Sequence, residues 1–533
     1  MNKNKWTVYL PLIMAAVLLA GLLIGIQLGR NGAVFPFLGS SKDNKLNGVI
    51  RYVEDNYVDT VSRQVLTDKA ISGMLQGLDP HSVYILPSEF HDYTDPLIGS
   101  FEGIGVRFQL ERDTITVINT ISGGPSEKIC IRAGDRIVRI DWKNVAGIRI
   151  TNADVLKMLK GKKGSRVNVS IFRRGVGSLI DFTITRDVIP TYSVDIAYMA
   201  TPAIGYIRLN NFSETTAGEV EKALLDLKSG GMTKLIIDLR GNGGGYLKAA
   251  ILVADQLLPE GKLIVYTEGA HHRKDVFYAE SGGLFEKGDV VILIDEWSAS
   301  ASEILAGAIQ DNDRGTILGR RSFGKGLVQE QMNMKDGSAI RLTVARYYTP
   351  TGRCIQKPYT GGTDAYYLEY YHRVQNGDNE VPDTSKIPDS LKFKTPKGKI
   401  VYGGGGILPD ILVPAEKDSA ILYYSRAVNK GVIYQFAFDY TDRYRKELSR
   451  FRTPDEFGKN FRVTDDIYAG FIDAAGKQGI KREGKDLALS DARIRTLIKA
   501  YIGRNILDNP GFYPFLNTID PDFLKALEIL NRK

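Results

Sequence analysis

Cysteine and histidine are scarce in this chain of 533 residues, which contains two cysteines and five histidines. Cys130 and Cys354 lie far apart and do not have the spacing of metal ligands. A disulfide between them is not needed, and we expect two buried free thiols. None of the histidines lies in a motif resembling a Ser/His/Asp site, and no G-x-S-x-G sequence is present. A histidine-dependent serine site is therefore not predicted.

Clusters of basic residues are absent as well. The net charge of +8 is modest for the length, and no run of Lys and Arg alternates with aromatic residues. We therefore predict no nucleic-acid partner. With 43% hydrophobic and 25% charged residues, the composition is that of an ordinary globular protein. The length allows about two to four domains.

One long apolar run lies near the N-terminus. Trp6 to Leu28 contains no charged residue, and this length can span a bilayer. Lys3 and Lys5 precede it, which favours a cytoplasmic N-terminus. The run is long for a cleaved signal peptide and no clear A-x-A site follows it. We favour an uncleaved signal anchor over a cleaved signal, and in either case the bulk of the protein is exported.

A serine-rich turn carries the strongest candidate chemistry. The apolar run Val290–Ile294 predicts a buried strand, and apolar residues at helical spacing predict a helix that starts near Ala301 or Ser302. The serines between them would face the first free N–H groups of that helix, which suit an oxyanion. A serine needs a base, and burial can lower a lysine pKa enough for that role. Lys325, between two glycines, is the candidate.

The same lysine also lies in a near match to a phosphate-binding loop. Gly319–Lys325 follows the pattern G-x-x-x-x-G-K. However, the next residue is Gly326, where that motif needs Ser or Thr to hold magnesium. A nucleotide site is the weaker interpretation.

Two segments around this turn resemble the carboxy-terminal processing peptidases, also called tail-specific proteases, which are Ser-Lys enzymes. They are Ser298-Ala-Ser-Ala-Ser-Glu303 and Phe323-Gly-Lys-Gly-x-Val-Gln329. The resemblance runs from about residue 65 to about residue 415. It implies that Ser300 is the nucleophile, Lys325 the base and Gln329 the residue that orients the lysine. It implies no metal or cofactor.

A glycine-rich loop supports this resemblance. Lys234–Leu239 predicts a strand, and the pattern D-x-R-x-N-x-G-G follows it in full from Asp238 to Gly245. In the family this loop supplies one oxyanion donor, which we assign to the N–H of Gly244, with Gly245 as the alternative. The second donor would be the N–H of Ala301. Repeated strand–helix units predict an α/β fold with a mostly parallel sheet, and the resemblance implies a crotonase-like core.

Residues 97–187 resemble a PDZ domain. Alternating strands and the sequence Ile131-Arg-Ala-Gly-Asp-Arg136 are typical of it, although Cys130 replaces the usual glycine. The loop that would hold the terminal carboxylate of a peptide consists of Gly103, Ile104, Gly105 and Val106. An extended peptide would then add to the neighbouring sheet edge as a strand.

The remaining segments carry no catalytic motif. His81 is predicted to be a turn residue, and a tyrosine-rich surface insertion to be packing. Residues 418–533 have a helical pattern and could serve dimerisation or docking of an adaptor. The predicted organisation is a membrane helix at 1–30, a tether and helical segment at 31–96, the PDZ domain at 97–187, the protease core at 188–417 with an insertion at 360–397, and a helical region at 418–533.

Together these features predict a serine endopeptidase that binds protein or peptide substrates with exposed C-termini through its PDZ domain. We expect it in the cell inner membrane as a single-pass protein, with its catalytic part in the periplasm or another extracytoplasmic space. The alternative is an inactive PDZ scaffold, against which the intact Ser300, Lys325 and Gln329 argue.

Overall fold

The structure is a computed structural model that describes residues 6–30, 45–121, 123–375, 384–414, 421–484 and 487–532. The chain divides into two compact units, Met1–Gly77 and Leu78–Lys533. The described part of the first unit consists of three helices: α1 (Trp6–Arg30), α2 (Lys45–Asn56) and α3 (Arg63–Gln76). Most of the predicted tether, residues 31–44, lies outside the described residues.

Helix α1 is strongly apolar, and its residues Tyr9–Ile26 are exposed. Its stretch Tyr9–Ile26 has a mean hydropathy of 2.5 and is long enough to cross a membrane. A signal sequence would meet the same criteria of length and composition. The helix is therefore consistent with either form of the predicted export signal.

The second unit begins with a small antiparallel sheet and its flanking elements. These are β1 (Val83–Ile85), α4 (Phe90–Ile98), β2 (Ser100–Gly103), β3 (Val106–Leu110), β4 (Ile115–Thr120), α5 (Pro125–Lys128), β5 (Arg136–Ile140), β6 (Lys143–Asn144), α6 (Asn152–Leu159), β7 (Arg166–Phe172), β8 (Ile180–Thr185) and β9 (Asp187–Pro190). The strand order is β3-β4-β5-β7-β8, with β6 paired to β5, while β2 and β9 form a separate pair. Strand β3 lies at the edge of the sheet. Val155 and Leu159 of α6 pack into its apolar core.

The two cysteines are free thiols, but the prediction that both are buried is wrong. Cys130 is exposed and Cys354 is only partly buried. Cys130 has a φ of 66°, in the left-handed region that favours glycine. Its carbonyl accepts a hydrogen bond from Arg173 at 2.9 Å. The turn at Cys130 therefore has the left-handed backbone conformation that suits the usual glycine, although cysteine occupies the position.

The central part of the second unit is a mixed α/β core. Its elements are β10 (Val194–Met199), β11 (Ile204–Leu209), α7 (Thr216–Ser229), β12 (Lys234–Asp238), α8 (Leu247–Asp255), β13 (Leu263–Glu268), β14 (Asp275–Tyr278), β15 (Asp289–Ile294), α9 (Ala301–Asp311), β16 (Thr316–Gly319), β17 (Leu327–Asn333), β18 (Ala339–Tyr348), α10 (Gly362–Gln375), β19 (Lys392–Lys394), β20 (Ile400–Tyr402) and β21 (Ile411–Leu412). Six strands form one sheet in the order β10-β11-β12-β15-β16-β21. All neighbours are parallel except β10 and β11.

The apolar strands of this sheet are buried on both faces. In β12, Leu235 and Ile237 belong to the core cluster that includes helices α7, α8 and α9. Ile236, which points to the opposite face, belongs to a second cluster. A strand covered on both faces needs an uninterrupted apolar run, which is the pattern that the sequence showed.

A second, antiparallel sheet lies beside the first and joins distant parts of the core. Its strand order is β1-β18-β13-β14, and β17 also pairs with β18. Helix α10 lies in the predicted insertion, and its Tyr366 is only 2% exposed. This tyrosine packs against Phe323, with ring centroids 5.6 Å apart, so part of the insertion is integral to the core.

The C-terminal part is helical, as predicted. Its helices are α11 (Leu422–Asn429), α12 (Val432–Arg443), α13 (Arg445–Leu448), α14 (Pro454–Asn460), α15 (Asp465–Lys477), α16 (Leu487–Leu507), α17 (Tyr513–Leu516) and α18 (Pro521–Arg532). Short 3-10 turns occupy Thr384–Lys386, Asp389–Leu391, Asn509–Gly511 and Asn517–Ile519. Apolar residues of these helices share one cluster with Ile236, Val291 and Leu293. The helical region therefore covers the second face of the parallel sheet.

Candidate active site

Ser300 lies at a sharp turn between β15 and α9. Its φ of 55° and ψ of −113° are unfavourable for a residue with a side chain and cost about 1–3 kcal/mol. The hydroxyls of Ser298 and Ser302 are buried and donate hydrogen bonds to backbone carbonyls, at 2.8 Å and 2.9 Å respectively. Ser300 instead lines a cavity. It is thus the serine of this turn that is placed to react.

The cavity beside Ser300 has a volume of about 810 Å³. Its wall combines apolar side chains with a few charged ones. The lining residues that matter for chemistry are Ser300, Lys325, Gln329, Gly244, Gly245 and Arg341. The structure therefore brings the predicted nucleophile, base and orienting residue to one cavity.

Lys325 is held in a loop between β16 and β17. Its Nζ donates a hydrogen bond to Oε1 of Gln329 at 2.9 Å, and Nε2 of Gln329 donates to the carbonyl of His81 at 2.5 Å. Burial, aided by the positive charge of Arg341, lowers the pKa of Lys325 to about 8. A fraction of this lysine is then neutral near pH 7, as a general base requires.

One carboxylate joins the serine turn to the lysine loop. Oε2 of Glu303 accepts hydrogen bonds from the backbone N–H groups of Ser300 and Lys325, both at 2.8 Å. Its Oε1 accepts from the N–H of Gly324 at 2.7 Å and from the hydroxyl of Ser322 at 2.5 Å. Burial raises the pKa of Glu303, and these four hydrogen bonds oppose that rise. The sequence resemblance included Glu303 but assigned it no role.

Tyr347 makes a second connection between the same two segments. Its hydroxyl lies 2.7 Å from the carbonyl oxygen of Lys325 and 3.1 Å from that of Ser300. The side chain is 1% exposed. The turn and the loop are therefore fixed to each other on both sides.

The predicted oxyanion donors differ in their availability. The N–H of Gly244 donates to Oδ1 of Asn242 at 2.9 Å, so this donor is engaged within the loop. The N–H groups of Ala301 and of the alternative, Gly245, form no hydrogen bond with any described residue. A Cβ at Gly244 would lie 2.8 Å from Cβ of Ser300. The glycine loop thus packs directly on the serine turn.

His81 has a role that the sequence did not reveal. It lies at a turn, as predicted, and its carbonyl receives the hydrogen bond of Gln329. Its ring nitrogen Nε2 lies 2.9 Å from the hydroxyl of Tyr366. Burial and the charge of Lys325 lower the pKa of His81 to about 4, so the ring is neutral at pH 7. The backbone carbonyl of His81 is the group that supports the site. Because every residue has a carbonyl, the residue type could not predict this contact.

The nucleotide interpretation is not supported by the local structure. The segment Gly319–Lys325 leads into strand β17, whereas a phosphate-binding loop opens a helix. Within the described residues, no group of three or more His, Cys, Asp or Glu side chains is arranged to hold a metal ion.

The predicted peptide-binding loop lies at the start of the edge strand β3. Gly105 has a φ of 73°, and a Cβ there would lie 3.1 Å from Ile189. The carbonyl of Ile104 accepts a hydrogen bond from the hydroxyl of Ser126 at 2.6 Å. The N–H groups of Ile104 and Gly105 form none within the described part of the chain. Both residues are buried.

Three parts of the sequence match models of known families. Residues 203–364 match peptidase family S41, residues 103–184 match the PDZ domain, and residues 423–508 match a family of unknown function, DUF8443. The PDZ match lies within the small antiparallel sheet. The peptidase match includes both Ser300 and Lys325.

Known proteins extend this similarity. The chain is 34% identical to the carboxy-terminal processing protease CtpA of Bacillus subtilis over 361 residues, which cover 67% of this chain and 76% of that protein. It is 39% identical to the carboxy-terminal-processing protease of Bartonella bacilliformis over 318 residues, 58% of this chain and 72% of that protein. The solved structure of a photosystem II D1 C-terminal processing protease is 30% identical and aligns with a TM-score of 0.35, covering 60% of this chain and 91% of that one. The chain therefore belongs to the carboxy-terminal processing proteases of peptidase family S41 and is a serine-type peptidase with a PDZ domain.

Proposed function

We propose that this protein is a Ser-Lys endopeptidase that cleaves protein substrates near their C-termini. The observation that carries the proposal is the shared cavity of Ser300 and Lys325, whose backbone segments are joined by Glu303. The lowered pKa of Lys325 supports its role as base. His81 also lies near the site, but its ring nitrogen Nε2 contacts the hydroxyl of Tyr366.

The proposed reaction begins with a neutral Lys325. Its Nζ takes the proton of the Ser300 hydroxyl while Oγ forms a bond to the scissile carbonyl carbon. The resulting ammonium returns the proton to the leaving amine as the peptide bond breaks. A water molecule then attacks the ester, again with Lys325 as base, and releases the new C-terminus. Gln329 holds Nζ in place throughout.

The tetrahedral intermediate needs hydrogen-bond donors for its oxygen. We propose the N–H of Ala301 at the start of α9 and one N–H of the Gly244–Gly245 pair. The donor of Gly245 is free in this structure, whereas that of Gly244 would first have to leave Asn242. The open donor at the first residue of α9 also benefits from the helix dipole.

We propose that the PDZ domain selects substrates by their C-terminus. The edge strand β3 offers unpaired backbone groups to an extended peptide, and the free N–H groups of Ile104 and Gly105 suit its carboxylate. Residues 97–187 would form this domain. The pairing of β2 with β9 supports those boundaries, because it brings the two ends of the domain together.

We propose that α1 anchors the protein in the inner membrane, with the catalytic part outside the cytoplasm and a role in the cell envelope. The apolar stretch Tyr9–Ile26 supports this. Fractionation of cells should place the full-length chain in the membrane after a carbonate wash. Recovery in the soluble fraction would exclude the anchor.

We also propose a crotonase-like fold for the core, which the repeated strand–helix units support.

The central test is cleavage of an unstructured protein with an apolar C-terminus by the full chain in detergent. We expect the parent to cut, and the Ser300→Ala and Lys325→Ala variants to be inactive. If all three cut equally, the proposed nucleophile and base are wrong. If none cuts, a serine-directed acylating probe decides, because an inactive scaffold would not be labelled at Ser300. Deletion of residues 97–187 should reduce the preference for that C-terminus.

A further inference from the structure

Arg240 lies at the base of the glycine loop that packs on the serine turn. Three carboxylates surround its guanidinium group. Asp238 accepts from Nε at 2.9 Å and from Nη2 at 2.7 Å. Asp520 and Asp522 each accept from Nη1 at 2.9 Å. The arginine is 13% exposed, so these contacts decide where the start of the loop lies.

The two further carboxylates come from the opposite end of the sequence. Asp520 and Asp522 flank the first residue of α18 and are 280 and 282 positions away from Arg240. They lie outside the three segments that match family models, the last of which ends at residue 508. Their contact with the glycine loop exists only because the helical region covers the second face of the sheet.

Charge balance shows why these residues are needed. Asp238 is fully buried and also accepts a hydrogen bond from Arg208 at 2.8 Å. One carboxylate therefore faces two guanidinium groups. Asp520 and Asp522 add two negative charges beside Arg240, and Asp522 is shared with a third guanidinium group, that of Arg320. Without them the site would hold an uncompensated buried cation, an arrangement that a protein avoids by moving the charged group.

Asp522 also contacts the loop that carries Lys325. Its Oδ2 lies 3.4 Å from Nη1 of Arg320, which directly follows β16. Glu296 accepts from Nε of Arg320 at 2.8 Å. One carboxylate of the C-terminal region thus contacts the arginines at the base of both loops of the site.

The glycine loop transmits its position to the serine turn. The N–H of Gly241, next to Arg240, donates to Asp295 at 2.9 Å. The N–H of Ala299 donates to the carbonyl of Asn242 at 3.0 Å. A displacement of Arg240 would therefore move the surroundings of Ser300 as well as the glycine N–H groups.

We infer that Asp520 and Asp522 are positioning residues of the peptidase: through Arg240 they hold the loop Gly241–Gly245 in register with Ser300. The inference rests on the proposed Ser-Lys chemistry. It assigns a catalytic-support role to the last helix of the C-terminal region, which lies beyond the segment 423–508 that matches a family of unknown function. Neither aspartate lines the cavity of Ser300, so neither is a catalytic residue.

The test compares the full chain with Asp520→Asn, Asp522→Asn and the double variant, which keep the size of each side chain. Asp473→Asn is the matched control, since Asp473 pairs with Lys477 on the surface of the same helical region. Active sites are titrated with a serine-directed acylating probe, and kcat is expressed per titrated site. Hydrogen exchange of the loop amides is measured in parallel.

We expect the double variant to lose about 10²-fold in kcat per titrated site, the scale of a small misplacement of reacting groups. KM and the apparent pKa of Lys325 should be unchanged, and the amides of Gly241–Gly245 should exchange faster. The Asp473→Asn control should match the parent. If the aspartates have a purely structural role, the variants will have fewer titrated sites but the same kcat per site, and this result would overturn the inference. Parent-like kinetics in the double variant would also overturn it. If the parent is not labelled at Ser300, the proposed Ser-Lys function fails together with the inference. If the parent is labelled and active and the aspartate variants behave like it, the inference fails but the proposed function stands.

Discussion

The carboxylate of Glu303 accepts a hydrogen bond from the backbone N–H of Lys325 at 2.8 Å. The same oxygen accepts from the N–H of Ser300 at 2.8 Å. A residue one helical turn after the proposed nucleophile therefore fixes the loop of the proposed base. The relative position of serine and lysine depends on this side chain together with Tyr347, whose hydroxyl contacts the carbonyls of both residues.

Glu303→Gln should disrupt this arrangement. All four groups around the carboxylate donate hydrogen bonds, and an amide nitrogen cannot accept them. We expect about a 10²-fold loss of kcat/KM and about 1–3 kcal/mol lower stability against urea. Glu221→Gln, on the exposed face of α7, is the control for loss of a carboxylate. Parent-like kinetics in Glu303→Gln would show that the two segments do not need this link.

Activity should rise with pH. The pKa of Lys325 is lowered to about 8, so the neutral, proton-accepting form increases as the pH passes through that value. We expect kcat/KM to reach half of its maximum near pH 8. Gln329→Glu would place a carboxylate beside Nζ, which favours the ammonium and should move the midpoint upward. The measurement is a pH–rate profile of both proteins. A midpoint that is the same in both would exclude Lys325 as the titrating base.

Gly244→Ala should inactivate the enzyme. The residue has a φ of 98°, and its Cβ would lie 2.6 Å from the carbonyl of Ala299 and 2.8 Å from Cβ of Ser300. Both contacts are too close, so the glycine loop and the serine turn must separate. Gly243→Ala is a matched control, because a Cβ there meets no atom within 4 Å. We expect cleavage to be lost in the first variant and retained in the second. Equal activity of the two would mean that the close packing of loop and turn is not required.

Much of the fold followed from local patterns in the sequence. The run Val290–Ile294 had to be a buried strand, and the structure has a strand at Asp289–Ile294. The serine turn, the PDZ elements and the C-terminal helices were predicted in the same way. Ser300, Lys325 and Gln329 were selected as candidates because each lies in a short motif of the family that the sequence resembles. The cavity that they share confirms their proximity but not their chemistry.

The parts that were missed depend on contacts between distant segments. The carbonyl of His81 supports Gln329 from 248 positions away, and every residue type has a carbonyl. Asp522 reaches Arg240 over 282 positions, with no motif around it. The engagement of Gly244 by Asn242 is local, yet it depends on the backbone conformation of the loop. The two long-range contacts leave no pattern of spacing in the sequence, and the loop motif that contains Asn242 and Gly244 does not reveal the hydrogen bond between them.

The helical region should also determine how firmly the PDZ domain is held. Asp442 of α12 is 7% exposed and contacts Arg136 at 3.1 Å and Arg174 at 3.3 Å, both in the PDZ domain. A second pair between the same parts, Arg112 and Asp439, is largely exposed at 73% and 41%. Exposed pairs contribute about 0–1 kcal/mol, whereas a hydrogen bond to a buried charge contributes about 1.5–3 kcal/mol.

Asp442→Asn should therefore loosen the PDZ domain, and Asp439→Asn should not. Small-angle X-ray scattering of the full chain in detergent would report an increased radius of gyration for the first variant at low salt. The parent should keep its smaller radius of gyration from low to high salt, because a largely buried carboxylate is screened much less than an exposed one. If the two variants scatter alike, the buried carboxylate is not what retains the domain. Contacts other than this carboxylate would then have to account for the position of the domain.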